Sequence, residues 1–305
     1  MFGFGRTPFC WVSISKTLNI IFQVNGGIGK NVAATGVIRA IRDKYPDDQL
    51  IVLTAYPDVY LNNPNVDRVH GPFNFPYFHE EFIQDKEAFL MLHDPYLETD
   101  HILYKEHLIQ TWSRMNGLDT WYAPELYITK REIDFYTDKF FSDKPIFLLQ
   151  TSGGAMGQES KYSWARDIPE SVARKVVEHF SPTHNVVHVR REDQLQLENT
   201  ISIHDNFRAL TVLASLSDKR LLIDSFLQHV CAAIQLPSTV CWVANKPEVF
   251  GYPIHTNILP NTFTKPYDYK NSMYQPFDIL GNPEEFPYNH EGEIFDVDTI
   301  IKSLI

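Results

Sequence analysis

Cysteine is scarce in this sequence: only Cys10, Cys231 and Cys241 occur, and no two stand at a metal-ligand or redox spacing. That excludes a disulfide scaffold and a cysteine zinc site, and it leaves small core hydrophobes in a reducing compartment. No apolar run approaches about 18 residues, so no helical membrane span is expected. The opening MFGFGRTPFCWVSISK is aromatic and glycine-spaced but lacks the continuous apolar stretch of a signal peptide. It reads as a loose extension or an added edge segment, and the expected location is the cytoplasm. Positive charge is also short: 27 Lys and Arg stand against 38 Asp and Glu, a net charge of -11, with no basic stripe. Nucleic acid is therefore excluded as a partner, because neutralising its phosphates needs such a stripe. A bound nucleotide is not excluded, since a few local cations and backbone N–H groups suffice for it. Neither an internal repeat nor a low-complexity tract is present.

What is present is the composition of a globular protein, 44% apolar and 21% charged over 305 residues, enough for two domains. LNIIFQV at 18–24 suits a strand buried on both faces. A helical pattern follows, with Val32, Val37, Ile41 and Tyr45 on one side and Pro46 as its stop, and then a second strand QLIVLT at 49–54. That β-α-β unit sets the class as α/β with a parallel sheet. Residues 71–127 are rich in Phe, Tyr, His and Pro, with weak periodicity except around 105–116. They read either as a substrate-facing surface or as an irregular layer packed on the sheet.

A second α/β series begins with PIFLLQ at 145–150. It continues with a helix near 169–180, NVVHVR at 185–190, a helix near 206–217, RLLIDS at 220–225 and a helix carrying Phe226, Val230, Ala233 and Ile234. STVCWV at 238–243 is expected to close it. The domains are expected at 1–140 and 141–289. At 290–305 a short amphipathic helix, capped by Asp296 with Val297, Ile300, Ile301 and Leu304 on one face, is expected to pack back on the first domain.

Two places concentrate chemistry. NGGIGKN at 25–31 lies between a strand and a helix, where Gly26, Gly27 and Gly29 let backbone approach a ligand. A P-loop is one reading, but Asn31 stands where the Mg²⁺-holding Ser or Thr is needed; a plain tight turn is another. In the second half, Asp224 and Ser225 end a parallel strand, the edge at which open α/β sheets bind ligands. Ser225, Phe226 and Gln228 then open a helix whose free N–H groups suit a diphosphate, and His229 follows one turn in. Each also has a plainer role: Asp224 and Ser225 as helix caps, His229 as a buried histidine, Lys161 as a surface lysine, Trp164 as core.

IFQVNGGIGKNVAATGVIRAIRDKYPDDQLIVLT with the Asn-Pro-x-Val-Asp phrase at 63–67 resembles the amino-terminal half of the heptosyltransferase-type glycosyltransferases, glycosyltransferase family nine. FLLQTSGG at 147–154, KYSWARDIP at 161–169 and above all 206–251 are similar to that family's second half. The resemblance implies a GT-B fold, two Rossmann-like domains facing across a cleft. It implies transfer of a sugar from a nucleoside-diphosphate donor to a glycan, lipid-linked or other hydroxyl acceptor, with no cofactor and no metal, and peripheral contact with a membrane is compatible with it. A non-catalytic binder of nucleotide sugars, or an epimerase or hydrolase on the same fold, are the alternatives.

The expected substrate-binding residues are Gly26, Gly27, Gly29, Thr151, Ser152, Lys161, Trp164, Asp224, Ser225, Gln228 and His229, together with four positions where the chain departs from the family. These are Phe226 in place of a glycine, filling space the donor would otherwise use, and Arg190, Arg191 and Glu192 at a usually glycine-rich strand end, where Arg190 or Arg191 takes over phosphate contacts. Where the family carries its general-base Asp, this chain has Lys30, which is protonated at its ordinary pKa and unable to accept a proton. Lys30 is then a candidate for stabilising the leaving diphosphate. The base is sought at Asp94, Asp58 or His93.

Overall fold

The structure, a computed structural model, describes residues 17–72, 75–140, 142–153, 166–261 and 294–305. Apolar runs bounded by turns form the strands. In the first half these are β1 (Asn19–Val24), β2 (Gln49–Thr54), β3 (Arg68–His70) and β4 (Ala88–Met91). Between them lie the helices α1 (Ile28–Lys44), α2 (Phe78–Phe82), α3 (Thr99–Ile102), α4 (Leu108–Met115) and α5 (Lys130–Lys139). The second half continues with β5 (Ile146–Leu149), α6 (Glu170–Phe180), β6 (Asn185–Val189), β7 (Ile201–Ile203) and α7 (Phe207–Leu216). After these come β8 (Lys219–Ile223), α8 (Phe226–Ala233), β9 (Thr239–Cys241), α9 (Pro247–Phe250), β10 (Thr256–Ile258) and α10 (Val297–Leu304).

Two sheets result, β3-β2-β1-β4 and β10-β9-β8-β5-β6-β7, with every described pair parallel. β1 lies in register with β2 from Asn19↔Gln49 to Val24↔Thr54. It is buried on both faces: Ile20, Phe22 and Val24 join the main core, while Ile21 packs with Ile51 and Phe82 on the other side. Nearly all of α1 from Lys30 to Ile41 is buried, as expected of a helix with neighbours all round. It packs against α4 and against α8 of the second half. One apolar cluster therefore runs from β1 and α1 through Leu227, Val230 and Cys231 into β8 and β9. Such a continuous apolar interface holds the halves in a fixed relation.

Four edge strands depart from the sequence reading. β4 arises inside the segment read as irregular, β3 and β7 flank the sheets, and β10 extends the series beyond β9. The last helix is a larger correction. α10 packs on α6, β8 and β9 of the second half, in place of the expected return to the first domain. Ile294, Phe295, Ile300 and Leu304 fill the face made by Leu221, Ile223, Cys241 and Val243. The Lys219 Nζ and Thr239 Oγ1 groups bind the carbonyls of Leu304 and Ser303. A sheet face that α6 covers only in part needs a second apolar cover, and α10 supplies it.

Candidate functional site

The carboxyl ends of β1 and β8 meet at the contact of α1 with α8. Gly26, at φ +98°, turns the chain between β1 and α1, a conformation that glycine adopts without strain. Gly27 caps α1 with no side-chain bond. An added Cβ on Gly29 would stand 3.0 Å from His229 Cδ2 and 3.3 Å from Phe226 Cα, so its bare backbone is what lets α8 approach. Asn31 pins the turn: its amide donates to the Gly27 carbonyl at 3.0 Å, and its Oδ1 accepts from Thr54 and Tyr60.

Lys30 and Asp94, 64 residues apart in sequence, form an ion pair of 2.7 Å between Nζ and Oδ1. The Lys30 side chain is 3% exposed and that of Asp94 35%. Lys30 Nζ lies 4.3 Å from the Tyr96 ring centroid and 5.3 Å from that of Trp112, cation–π distances that favour the charged form. Burial lowers the Lys30 pKa, opposed by the hydrogen bond and charge of Asp94. Asp94 caps the short turn Pro95–Leu97 by accepting from Tyr96 N at 3.0 Å, again through Oδ1. Its Oδ2 takes no hydrogen bond among the described residues. Of the other base candidates, Asp58 is exposed in the turn Pro57–Tyr60, and exposed His93 bonds Asn116 at 3.3 Å.

On the second-half side, Asp224 is buried directly after β8 and accepts from Asn245 Nδ2 at 2.5 Å. Ser225 is the N-cap of α8 but makes no capping bond; its Oγ accepts from Gln150 Nε2 at 3.3 Å. Thr151 Oγ1 pairs with His188 Nε2 at 2.9 Å, which leaves Ser152 and Gly153 at the strand end. Gly153 N donates to Asp167 at 3.0 Å. Burial lifts the Asp167 carboxyl to about 6, against the pull of the Gly153 N–H, Ser152, Arg166 and Arg191. The charge of Arg166, the exposed residue before Asp167, also acts on Tyr96 and His229.

Several expected ligand residues are already engaged. His229 Nδ1 meets Tyr252 Oη at 2.7 Å and its Nε2 meets the Gln228 amide at 3.1 Å, so both ring nitrogens are used internally. Burial, helped by the charges of His107, His255 and Arg166, holds His229 down at about 3, so it is neutral and carries no charge for a phosphate. Gln228 is fully buried and donates to the Phe250 carbonyl at 3.0 Å. Arg190 braces its own loop through the carbonyls of Glu192 and Gln194, while the Glu192 side chain is exposed. Arg191 reaches over to the Gly153 carbonyl at 3.4 Å. Lys161 and Trp164 lie outside the described residues. Sequence reasoning missed Asn245, Arg166, Asp167 and Tyr96; the first lies just beyond β9, where the strand-end rule would have found it.

Two parallel sheets with their carboxyl ends converging on one cleft define the GT-B class of fold. No family model matches the sequence, and no curated protein matches it. Solved structures do match in fold. A family 9 glycosyl transferase from Veillonella parvula aligns over 95% of this chain and 96% of its own, with a TM-score of 0.66 at 12% identity. The E. coli ADP-heptose lipopolysaccharide heptosyltransferase II aligns over 80% and 91%, with a TM-score of 0.62 at 13% identity. The dodecameric, iron-containing glycosyltransferase TibC of E. coli aligns over 94% and 74%, with a TM-score of 0.64 at 11% identity. The fold is thus that of the family 9 glycosyltransferases. Among the described residues no helix is long and apolar enough to cross a membrane.

Proposed function

We propose that this protein is a glycosyltransferase, which moves a sugar from a nucleoside-diphosphate donor to a hydroxyl group of a glycan or lipid-linked acceptor. The observation that carries the reading is the juxtaposition of the Gly26–Gly29 turn with Asp224, Ser225 and the start of α8, at facing ends of two parallel sheets. The diphosphate lies at the amino end of α8, where unpaired N–H groups and the helix dipole favour an anion. Arg166 and Arg191 supply positive charge beside Gly153, and the resemblance adds Lys161 and Trp164. Asp224, held by Asn245, sets the turn that aims those N–H groups. His229 positions the helix against Gly29. The acceptor enters from the first sheet, where Asp94 and Tyr96 stand. Transfer proceeds without a metal, the departing diphosphate being stabilised by helix N–H groups and arginines.

The donor class named for the E. coli neighbour, ADP-heptose, is the first to test, followed by other ADP-, UDP- and GDP-sugars. Chromatography of each donor incubated with the protein, with and without a glycan acceptor fraction, measures release of nucleoside diphosphate. Acceptor-dependent release from one donor supports transfer. Acceptor-independent release alone indicates a hydrolase, and tight binding with no release indicates a binding protein.

A further inference from the structure

We propose that Asp94 is the general base of the transfer and that Lys30 positions it; the assignment rests on the reading of the cleft as a glycosyltransferase site. Position 30 lies in the first turn of α1, next to Gly29, which meets α8, and its own side chain is 3% exposed against Asp94, Tyr96 and Trp112 of the first half. This chain places an ammonium at that position and brings the carboxylate in from the end of β4. The Lys30 side chain folds under the turn, with Cδ 3.1 Å from where a Gly26 Cβ would be, and its Nζ grips Asp94 Oδ1. Tyr96 N holds the same oxygen. With Oδ1 fixed twice, the carboxylate has one orientation, and Oδ2 is the atom left to accept a proton.

Asp94 also stands on the right side of the cleft. The Tyr96 hydroxyl two residues on feels the charges of Arg166, Asp224 and Asp94 together, and the Tyr96 ring lies 6.1 Å from Phe250 of the second half. Through the Tyr96–Phe250 contact, Asp94 thus stands where the first half meets the second. Trp112 and Tyr96 shield Lys30 from water, so it is a fixed charge rather than a mobile phosphate ligand.

In the step, the acceptor O–H gives its proton to Asp94 Oδ2 while the oxygen lone pair forms a bond to the anomeric carbon. The bond from that carbon to the phosphate oxygen breaks, and its electron pair leaves with the nucleoside diphosphate. The proton on Asp94 then passes to solvent. No oxidant, reductant or further reactant is needed.

The test uses the full chain, the donor that wild type turns over, and that donor's nucleoside diphosphate as the binding probe. Asp94→Asn keeps the size and a hydrogen-bond acceptor for Lys30, so it is expected to fold. Its kcat should fall by about 100-fold or more, while the calorimetric Kd for the nucleoside diphosphate stays within about threefold of wild type. Asp94→Glu should recover part of the rate, and Lys30→Met should lower kcat without raising that Kd. Wild-type turnover in Asp94→Asn overturns the base assignment and leaves the transferase reading standing. A parallel loss of turnover and nucleotide affinity also overturns it, because the residue then acts on binding or folding. If wild type releases diphosphate from no donor, the transferase reading fails and the base falls with it.

Discussion

Acidification tests the packing of the seam, and His101 is the most informative position. This residue is fully buried in α3, stacks on Tyr96 with ring centroids 5.4 Å apart, and meets Phe250 of the second half edge-on at 5.2 Å. Neither ring nitrogen has a hydrogen-bond partner among the described residues. Burial, then the charges of His107 and Lys30, lower its pKa from 6.5 to about 4, against Asp94 and Glu98. A histidine held neutral in the fold but free to protonate when unfolded makes stability fall as pH drops below 6.5, until the folded form protonates near 4. At pH 5 the unfolded chain holds nearly one proton that the native state refuses, a loss of about 2 kcal/mol from this residue alone. His107 and His188 are lowered to about 4, and His229 to about 3, by burial as well. Their neutral burial adds to the same acid-side loss, so the total exceeds that from His101 alone. Urea unfolding followed by tryptophan fluorescence between pH 7.5 and 5 gives the slope. His101→Phe keeps the ring stack and removes the titration. It should match or exceed wild type by up to about 1 kcal/mol at pH 7, and lead by about 2 kcal/mol or more at pH 5. Identical slopes for the two proteins would refute the claim that His101 is buried neutral.

Gly36→Ala should destabilise by about 3 kcal/mol although alanine is the better helix former. The added Cβ would stand 2.3 Å from the Tyr122 carbonyl oxygen, whereas Gly27→Ala meets nothing within 4 Å and should cost no more than about 1 kcal/mol; denaturation midpoints decide between them. Glu132→Gln should cost about 3 kcal/mol at pH 7, since Arg208 binds that carboxylate at 2.7 and 3.0 Å and would be left buried without a counter-charge. Chiefly because of Arg208, the Glu132 pKa drops from 4.5 to about 2. The stabilisation is therefore present above 4.5 and lost as pH falls toward 2, and the gap between variant and wild type should narrow as pH falls below about 4.5 in the same unfolding assay.

The legible parts of the sequence were those where burial on both faces leaves an uninterrupted apolar run. NIIFQV, QLIVLT and IFLL stand as strands where the pattern put them, and α6, α7 and α8 follow at their expected places. The edge strands β3, β7 and β10 have three residues each and β4 has four, too short for an alternation to declare itself. Missing β4 had a consequence: Asp94 was a candidate without a location, because the strand-end rule has no force where no strand is seen. The amphipathic pattern of α10 showed which face is buried but not what buries it. At the site, residue types at the seam were readable and their engagements were not. His229 is neutral because Tyr252 and Gln228 occupy it, Arg190 is spent on its own loop, and the Lys30–Asp94 pair joins two segments that only the fold brings together.

Calorimetric titration of ADP, UDP and GDP into the wild-type protein and into Asp224→Asn tests the central claim most directly. One nucleoside diphosphate should bind wild type at micromolar Kd or tighter, and the variant at least about tenfold more weakly, with both proteins melting at similar temperatures. No binding by wild type to any of the three, or equal binding by the variant, would contradict a diphosphate site at the end of β8.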